Sequence, residues 1–398
     1  MKVLVLNAGS SSLKFQVINT RKKEVLVKGI VDAIGLDRSR IEYSIYDNNS
    51  KKYFVETRIK NHEEGVKFAL DIIEESGIKL RDIKVVAHRV VHGGSRYKES
   101  TIINKRVLEE INRLSDLAPL HNPKNILGIK AAMKLLKRAK HVAVFDTSFH
   151  QTIPEEAFLY GLPIEFYEKY GIRRYGFHGT SHKFVANETI KILGLKNFKL
   201  ITCHLGNGIS ITAVRVRNKK PISLDTSMGL TPLEGPMMGT RSGTIDPGII
   251  IYLWRNKIIK NPDELDQLLN KKSGLLGISE LSSDMRDLLE TRNKRQKSML
   301  AIRMLTYQIA KIIASYTTTL NGVDALVFTA GMGENSWLIR KLICNKLKHF
   351  GIILDEKKNK NNDLIISSKK SRVKVLVIKT NEELQMALEA ERVVRRKK

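Results

Sequence analysis

Three turns rich in glycine, serine and asparagine are candidates for binding phosphate, because each follows a run of apolar residues. They span residues 7–12, 206–208 and 331–335. Glycine lets the backbone approach an anion closely, and successive amides in such turns form anion-binding nests. Beside the first turn, hydroxyl donors and a positive charge come from Ser10, Ser12 and Lys14.

A tight hairpin is the simpler explanation for any one of these turns, whereas three of them at strand ends favour phosphate binding. The common fingerprints G-x-x-x-x-G-K-[ST] and G-x-G-x-x-G do not occur in the sequence. A nucleotide would therefore have to be held by hairpins rather than by a P-loop or a Rossmann turn.

Two arginines and two carboxylates occupy positions suited to phosphoryl transfer. Arg89 ends a predicted buried strand, and Arg241 lies in a loop of small residues. Such a guanidinium either bonds loop carbonyls or stabilises negative charge on a phosphoryl group. Asp146 follows a predicted strand and Glu382 begins the last predicted helix, so each is either a magnesium ligand or a helix cap.

Two His-x-x-x-His pairs raise the question of zinc binding: His88 with His92, and His178 with His182. On a helix, this spacing places two nitrogen ligands on one face. Neither pair contains the glutamate of H-E-x-x-H, and the two cysteines, Cys203 and Cys344, lie far apart. The pattern therefore disfavours zinc.

Short runs rich in valine and isoleucine alternate with amphipathic stretches, which is typical of an α/β protein. The predicted strands span residues 3–6, 13–18, 85–87, 142–145, 200–205, 209–216, 325–329 and 373–378, and the predicted helices 107–114, 125–136 and 382–394. The strand, turn and returning strand at the start recur about two hundred residues later. This repeat suggests two related halves, with a boundary near residue 150.

The net charge of +28, from 69 basic and 41 acidic residues, makes nucleic-acid binding an alternative. The lysines and arginines are scattered, however, and no segment alternates them with aromatic residues as RNA-binding strands do. The apolar run at residues 3–6 is too short for a secretory signal, and no segment approaches the ~18 apolar residues of a membrane span. With only two cysteines, we expect a cytoplasmic protein.

Ten motifs in order between residues 3 and 383 identify a resemblance to a known family. They are VLVLNAGSSSLKF, AHRVVHGG, PLHNP, FDTSFHQTIP, RRYGFHGTSH, HLGNG, DTSMGLTPLEG, MGTRSG, GMGEN and TNEE. Together they closely resemble the short-chain carboxylate kinases, and within these the acetate kinase family. RRYGFHGTSH is the most specific of them.

The resemblance implies an α/β fold with two similar RNase H-like domains, of the actin-type ATPase kind, around an interdomain cleft. One domain would comprise residues 1–149 completed by 382–398, and the other, nucleotide-binding domain residues 150–381. It further implies a homodimer that transfers the γ-phosphoryl group of ATP reversibly to acetate, giving acetyl phosphate and ADP. The expected cofactor is Mg²⁺, for which Mn²⁺ can substitute.

The same resemblance implies roles for individual residues. Magnesium would be held by Asn7 and Glu382, with Asp146 nearby, while Ser10, Ser12 and Lys14 would meet the phosphates. The carboxylate and the phosphoryl oxygens would be bound by Arg89, Arg241 and His178, supported by His121. The methyl group of acetate would lie against Val91, Leu120, Phe177 and Pro232. The nucleotide would be cradled by His204, Leu205, Gly206, Asn207, Gly208, Asp284, Met285, Arg286, Gly331, Met332, Gly333, Glu334 and Asn335.

The chain departs from the family pattern at a few positions. Thr244 replaces the usual acidic residue after Arg-Ser-Gly, which puts the neutralisation of Arg241 in question. Pro236 and the pair Gln385 and Met386 replace more usual apolar residues. The alternatives to acetate phosphorylation are a propionate kinase of the same family, an ATPase switch or sugar kinase of the same superfamily, and a basic nucleic-acid-binding protein that has lost catalysis.

Overall fold

The computed structural model describes residues 1–46, 50–118 and 121–396. These residues form two compact units: residues 1–149 with 381–398, and residues 150–380. No helix in the described part of the chain is long and apolar enough to cross a membrane.

The first unit is built on an eight-stranded mixed sheet. Its strands are β1 (Lys2–Ala8), β2 (Leu13–Asn19), β3 (Glu24–Asp32), β4 (Ser39–Ile45), β5 (Lys51–Thr57), β6 (Ile83–Val90), β7 (Thr101–Ile102) and β8 (Lys140–Phe145). Its first helices are α1 (His62–Glu75), α2 (Lys105–Arg113) and α3 (Asn122–Leu135). The strand order is β5-β4-β3-β2-β1-β6-β8-β7.

The second unit has a five-stranded mixed sheet and most of the helices. Its strands are β9 (Phe198–Leu205), β10 (Ile209–Arg217), β11 (Lys220–Thr226), β12 (Ala325–Thr329) and β13 (Lys374–Val377). Its helices are α4 (Glu155–Phe158), α5 (Glu165–Tyr170), α6 (Gly179–Leu193), α7 (Pro247–Arg255), α8 (Pro262–Lys271), α9 (Gly274–Ser279), α10 (Met285–Thr291), α11 (Gln296–Leu320), α12 (Ala330–Asn335), α13 (Trp337–Asn345) and α14 (Glu356–Asn361). The strand order is β11-β10-β9-β12-β13.

The chain ends with helix α15 (Glu382–Arg396), which belongs to the first unit and packs against β1, β6 and β8. Short 3-10 helices at Leu80–Asp82, Leu114–Leu117, Ser148–Thr152 and Lys348–Phe350 connect larger elements. The α/β fold expected from the sequence is confirmed.

The five central strands have the same arrangement in both units. β1 and β9 are each central, antiparallel to the following hairpin strand and parallel to a later strand, β6 or β12. A further parallel strand, β8 or β13, comes next. The repeated hairpin predicted from the sequence is therefore present, and the likeness extends to the order of five strands in each sheet.

Apolar runs become central strands because both of their faces are buried. Val3 to Leu6 are at most 2% exposed, as are most residues of β9 and β12. Helix α3 packs closely on β1 at Gly128, where an added Cβ would lie 2.7 Å from the Ala8 methyl group. Parallel pairing then brings the carboxyl ends of β1, β6 and β8 to one edge of the first sheet.

A buried histidine makes stability dependent on pH. His150 is fully buried, with Nδ1 3.0 Å from the Ser223 hydroxyl and Nε2 3.0 Å from the Phe177 carbonyl. Burial lowers the pKa of His150 to about 4, although the bond to the Phe177 carbonyl partly opposes this. An unfolded chain would protonate this ring near its ordinary value of 6.5.

We predict that the free energy of unfolding falls as the pH drops from 6.5 towards 4, because only the unfolded chain takes up this proton. The His150 contribution amounts to about 2 kcal/mol between pH 7 and pH 5. Chemical denaturation at both pH values should show a shallower pH dependence for His150→Gln. The exposed His349→Gln is the control and should follow the parent protein; parallel curves for all three proteins would contradict the prediction.

Candidate functional site

The carboxyl ends of β6 and β8 carry a tightly bonded ion pair. The Arg89 guanidinium donates through Nε to both Asp146 oxygens at 3.1 Å and through Nη2 to Oδ2 at 2.8 Å. The Asp146 side chain is 2% exposed and that of Arg89 is 25% exposed. Nη1 of Arg89 takes no part in these bonds, so one edge of the guanidinium faces away from Asp146.

The start of α15 adds a third charged group beside this pair. Burial raises the pKa of Glu382 to about 7, and the Asp146 and Glu383 carboxylates act in the same direction. Arg89 and Lys14 partly offset them. Carboxylates crowded in this way favour a cation between them.

The first glycine-serine turn lies at the same sheet edge. Asn7 pairs with Lys14 across the β1–β2 hairpin, and the Gly9 amide donates to the Ser12 carbonyl at 2.8 Å. The His62 ring lies 2.9 Å from the Gly9 carbonyl, so α1 supports the turn. The turn therefore brings Asn7, Ser10, Ser12 and Lys14 to the edge that carries Arg89.

Two buried asparagines on α3 hold the segment after β6, and sequence reasoning missed both. The Asn125 side chain accepts from the Val91 amide at 3.2 Å and donates to the Ala8 carbonyl at 2.9 Å. Asn122 accepts from the His92 amide and donates to the His92 carbonyl. Their only sequence signal was the motif PLHNP, which contains Asn122.

Other predicted residues of the first unit lie close in sequence to this segment. His121 occupies the N-cap position of α3, and Val91 is 8% exposed. Leu120, predicted to line the acid pocket, lies outside the described residues. The remaining predicted pocket residues, Phe177 and Pro232, belong to the second unit.

In the second unit, His178 and Arg241 converge over Gly208. A Cβ placed on Gly208 would lie 3.3 Å from His178 Nε2 and 3.5 Å from Arg241 Nη1. His178 stands at the N-cap of α6 with φ of 55°, a backbone conformation uncommon for residues other than glycine. A side chain at position 208 would crowd both groups, so glycine lets the His178 ring and the Arg241 guanidinium approach the same point.

Arg241 carries an uncompensated charge. Nη1 donates to the Pro232 carbonyl at 3.3 Å and approaches the Met238 sulfur at 3.8 Å. Burial lowers the pKa of Arg241, and within the described ranges no carboxylate forms an ion pair with it. A half-buried guanidinium without a carboxylate is suited to bind an anion.

The loop that carries Arg241 is anchored by Glu234, which sequence reasoning did not single out. Glu234 accepts from Arg174 at 2.7 Å and from the Tyr160 hydroxyl at 2.6 Å. Thr244 closes the same loop: its hydroxyl accepts from the Gly235 amide and its amide donates to the Gly235 carbonyl. The departure at Thr244 is thus accommodated by a local bond that does not involve Arg241.

The other departures are buried. Pro236 lies inside this loop, and Met386 is 2% exposed on α15. Gln385 donates to Glu389 at 3.0 Å, and Glu389 also accepts from the Ser100 hydroxyl at 2.6 Å. This bonding explains how a polar side chain is tolerated at Gln385.

A cavity of about 740 Å³ gathers most of the predicted nucleotide-binding residues in the second unit. The predicted residues that line it are Gly206, Asn207, Asp284, Met285, Arg286, Gly331, Met332 and Asn335. The residues that sequence reasoning missed are Gly239, Leu275, Ser283, Leu289, Arg292, Ser336, Trp337 and Leu338. They lack a phosphate-binding motif, and several are ordinary apolar helix residues.

The remaining predicted nucleotide residues of the second unit do not line this cavity and are held by contacts of their own. Leu205 is fully buried and Gly333 is buried in α12. One oxygen of Glu334 accepts from the Ala330 amide at 2.7 Å and the Thr380 amide at 3.0 Å. His204 stacks on His178 with 4.2 Å between ring centroids.

The segment 331–335 forms a helix rather than the turn expected from its glycines. The reason is a fully buried arginine, Arg340, which donates to the carbonyls of Gly333 and Glu334 at 2.9 and 3.0 Å. These bonds satisfy the end of α12. Arg340 also binds Asn359 and Asn362 through neutral oxygens, so α14 is tied to the same point.

Comparison with known proteins identifies the family. The model of the acetokinase family matches residues 2–388. The chain belongs to the acetokinase family. It is 49% identical over 406 residues to an acetate kinase of Thermotoga maritima, with 99% of each chain covered. It is 50% identical over 398 residues to an acetate kinase of Carboxydothermus hydrogenoformans, with 98% of each covered.

Solved structures of the family have the same fold. A crystal structure of Porphyromonas gingivalis acetate kinase matches with a TM-score of 0.91 at 39% identity, covering 99% of both chains. A propionate kinase from Francisella tularensis matches with a TM-score of 0.91 at 42% identity, covering 98% of this chain and 99% of that one. The family resemblance read from the motifs is confirmed.

The role of Arg340 leads to a stability prediction. Arg340→Met removes the donor to at least three buried oxygens, so we expect a loss of about 3 kcal/mol or more in the free energy of unfolding. The neighbouring Lys341→Met removes only a surface ion pair with Glu356 and should cost less than about 1 kcal/mol. Chemical denaturation measures both. Equal stability of the two variants would contradict a supporting role for Arg340.

Proposed function

We propose that the chain transfers the γ-phosphoryl group of ATP to acetate, giving acetyl phosphate and ADP. The observation that carries this proposal is the pairing of Arg241 with His178 over Gly208, because Arg241 lacks a carboxylate partner among the described residues. A cation and a hydrogen-bond donor aimed at one small space are what the equatorial oxygens of a transferring phosphoryl group require.

The chemistry needs no strong general base. Acetate is ionised at neutral pH, so its oxygen is already a nucleophile. The barrier comes from bringing two anions together and from charge on the phosphoryl oxygens. Positioned cations and donors lower that barrier without moving a proton. The proposed transfer is therefore direct and in line.

Arg89 is the proposed ligand for the acetate carboxylate. Asp146 engages Nε and Nη2 and fixes the orientation of the guanidinium. Nη1 has no hydrogen-bond partner in the part of the chain that the structure describes, so it remains available to a substrate oxygen. Asp146 acts in this view as a positioning group for Arg89, and His121 supports the same edge.

The cavity of the second unit is the proposed site for the nucleotide, with Asn207, Asp284 and Gly331 among its lining residues. Ser10, Ser12 and Lys14 are proposed to meet the phosphates. Glu382 and Asn7 offer the hard oxygen ligands that Mg²⁺ prefers, and this ion is commonly held by one or two carboxylates plus substrate phosphates. When bound, the ion neutralises charge on the phosphate oxygens; Mn²⁺ can substitute.

Acetate is the proposed acceptor because the chain is 49% and 50% identical to two acetate kinases, and the residues proposed to contact its methyl group, Val91, Phe177 and Pro232, are apolar. An additional methylene changes selectivity by only ~1–3 kcal/mol. Propionate should therefore react more slowly rather than be excluded. The likeness to a propionate kinase is compatible with this overlap.

The decisive assay is ATP- and Mg²⁺-dependent acyl phosphate formation, trapped with hydroxylamine, with acetate, propionate and butyrate in parallel. We expect the strongest signal with acetate and a weaker one with propionate. Arg241→Ala should lower kcat by about 10²–10³, as loss of one charge-stabilising donor typically does. Arg217→Ala, an exposed arginine of the same unit, is the control.

Near-normal turnover of Arg241→Ala would overturn the role given to Arg241. No acyl phosphate from any of the three acids, with protein that is folded and binds ATP, would overturn the kinase assignment itself.

We also propose a homodimer that uses helix α7. This helix contains no buried residue, although it is mostly apolar. Its side chains are widely exposed: Ile251 by 53%, Tyr252 by 63% and Trp254 by 52%, with Ile258 just beyond it exposed by 57%. A contiguous apolar patch of this kind is typical of a protein interface. A second copy of the chain is the proposed occupant.

Trp254→Asp should shift the protein from dimer to monomer, because a charge at the centre of an apolar interface is left unpaired. Light scattering coupled to size-exclusion chromatography measures the mass directly. Leu195→Asp is the matched control, since Leu195 is 48% exposed elsewhere in the same unit. A parent protein that is monomeric at micromolar concentration would overturn the proposed dimer.

A further inference from the structure

Four polar side chains form a hydrogen-bonded chain, here called the relay, that runs from Thr202 in the core of the second unit to His178. Thr202 Oγ1 lies 2.7 Å from His182 Nδ1, and His182 Nε2 lies 2.7 Å from Ser210 Oγ. Ser210 Oγ lies 2.8 Å from His178 Nδ1. Thr202, His182 and Ser210 are all fully buried. None of these three was a predicted site residue.

The proton count restricts how this chain can be arranged. Ser210 has one hydroxyl proton and contacts two ring nitrogens, with no other acceptor among the residues described, so it donates to one ring and accepts from the other. Each neutral imidazole carries one proton. Two directions therefore remain: either Thr202 donates at the inner end, or His178 donates at the outer end.

Thr202 decides between the two directions. If His178 Nδ1 donated to Ser210, the donation would continue through His182 to the Thr202 oxygen. The Thr202 hydroxyl proton would then need an acceptor, yet in the described part of the chain its oxygen contacts only His182. A buried donor without an acceptor is strongly unfavourable. In the opposite direction Thr202 donates to His182, His182 donates to Ser210 and Ser210 donates to His178 Nδ1, so no buried hydroxyl proton lacks an acceptor.

The surroundings keep the His182 ring neutral, as the proton count requires. Burial, together with the neighbouring rings of His150 and His204, lowers the pKa of His182 well below its ordinary range. His182 therefore stays neutral and passes on a single donor, its Nε2 proton.

We infer that Thr202, His182 and Ser210 are positioning residues that keep Nδ1 of His178 unprotonated and its proton on Nε2. This inference rests on the proposed function, in which His178 Nε2 donates to the reacting groups. A proton on His178 Nδ1 would reverse the direction of every hydrogen bond between His178 and Thr202. The Thr202 hydroxyl proton would then have no acceptor among the described residues. The relay thus makes His178 a fixed neutral donor rather than an acid.

The direct test is ¹⁵N NMR of the full chain labelled at histidine, without substrate, with His178 assigned by comparison with His178→Gln. The ring should show a protonated Nε2 and an unprotonated Nδ1. Protonated Nδ1 in the resting protein would overturn the inference. This NMR measurement requires no kinase activity, so its result is independent of the test of the proposed function.

The functional test uses Thr202→Val, which keeps the shape of the residue but removes the hydroxyl two groups away from His178. We expect kcat to fall about 10-fold, with KM for ATP and acetate near the parent values, and His178 to show both tautomers. Thr189→Val is the control, because the buried Thr189 hydroxyl donates to the Val185 carbonyl within its own helix, α6.

Identical kcat values and identical His178 spectra for Thr202→Val and Thr189→Val would overturn the relay. If Thr202→Val lowers kcat while His178 remains protonated only at Nε2, the effect is structural and the inference is also overturned. If the NMR result holds but the parent protein forms no acyl phosphate, the relay stands and the proposed function fails.

Discussion

Parallel pairing of a central strand with its later neighbours is the constraint on which the candidate site residues of each unit depend. Strands that run in the same direction end at the same edge, so residues far apart in sequence meet there. In the first unit this edge gathers the end of β1, Arg89 and Asp146. In the second it gathers the turn after β9 and the start of α12. The hairpin strands and the helices serve mainly to hold these ends.

Three arginines show how the chain separates structural from chemical charge. Arg340 is fully buried, but neutral oxygens surround its guanidinium and leave no net need for an anion. Arg89 pairs with one carboxylate, Asp146, which orients its guanidinium and does not bond to Nη1. Arg241 is half-buried, and among the described residues its guanidinium bonds to a carbonyl and approaches a sulfur but pairs with no carboxylate. What distinguishes the residue suited to act on a phosphoryl group is how few partners surround its guanidinium, and not its burial alone.

The sequence was sufficient for the fold class, the repeated hairpin and the strands that carry Arg89 and Asp146, because these depend on local apolar patterns and turn residues. It was insufficient for Asn125, Glu234 and Arg340. Asn125 bonds to backbone groups distant in the chain, Glu234 to the side chains of Arg174 and Tyr160, and Arg340 to the end of α12 and to α14. A lone asparagine, glutamate or arginine has no sequence pattern that reveals such partners. The helix at 331–335 was misread for the same reason, since its end is capped from α13. Trp337 likewise lines the cavity because of how the helices pack, and no sequence motif indicates that position.

Helix α15 has a consequence for how the protein is made. The first unit is interrupted after Phe149 and is completed only by the last residues of the chain. Glu382 therefore reaches the sheet edge of Arg89 only after all of residues 150–380 have been synthesised, which takes on the order of tens of seconds at typical translation rates. Until then the nascent first unit lacks this carboxylate and exposes the strand surface that α15 covers. A chain that terminates before residue 382 therefore lacks both this carboxylate and the helix that covers the strand surface of the first unit.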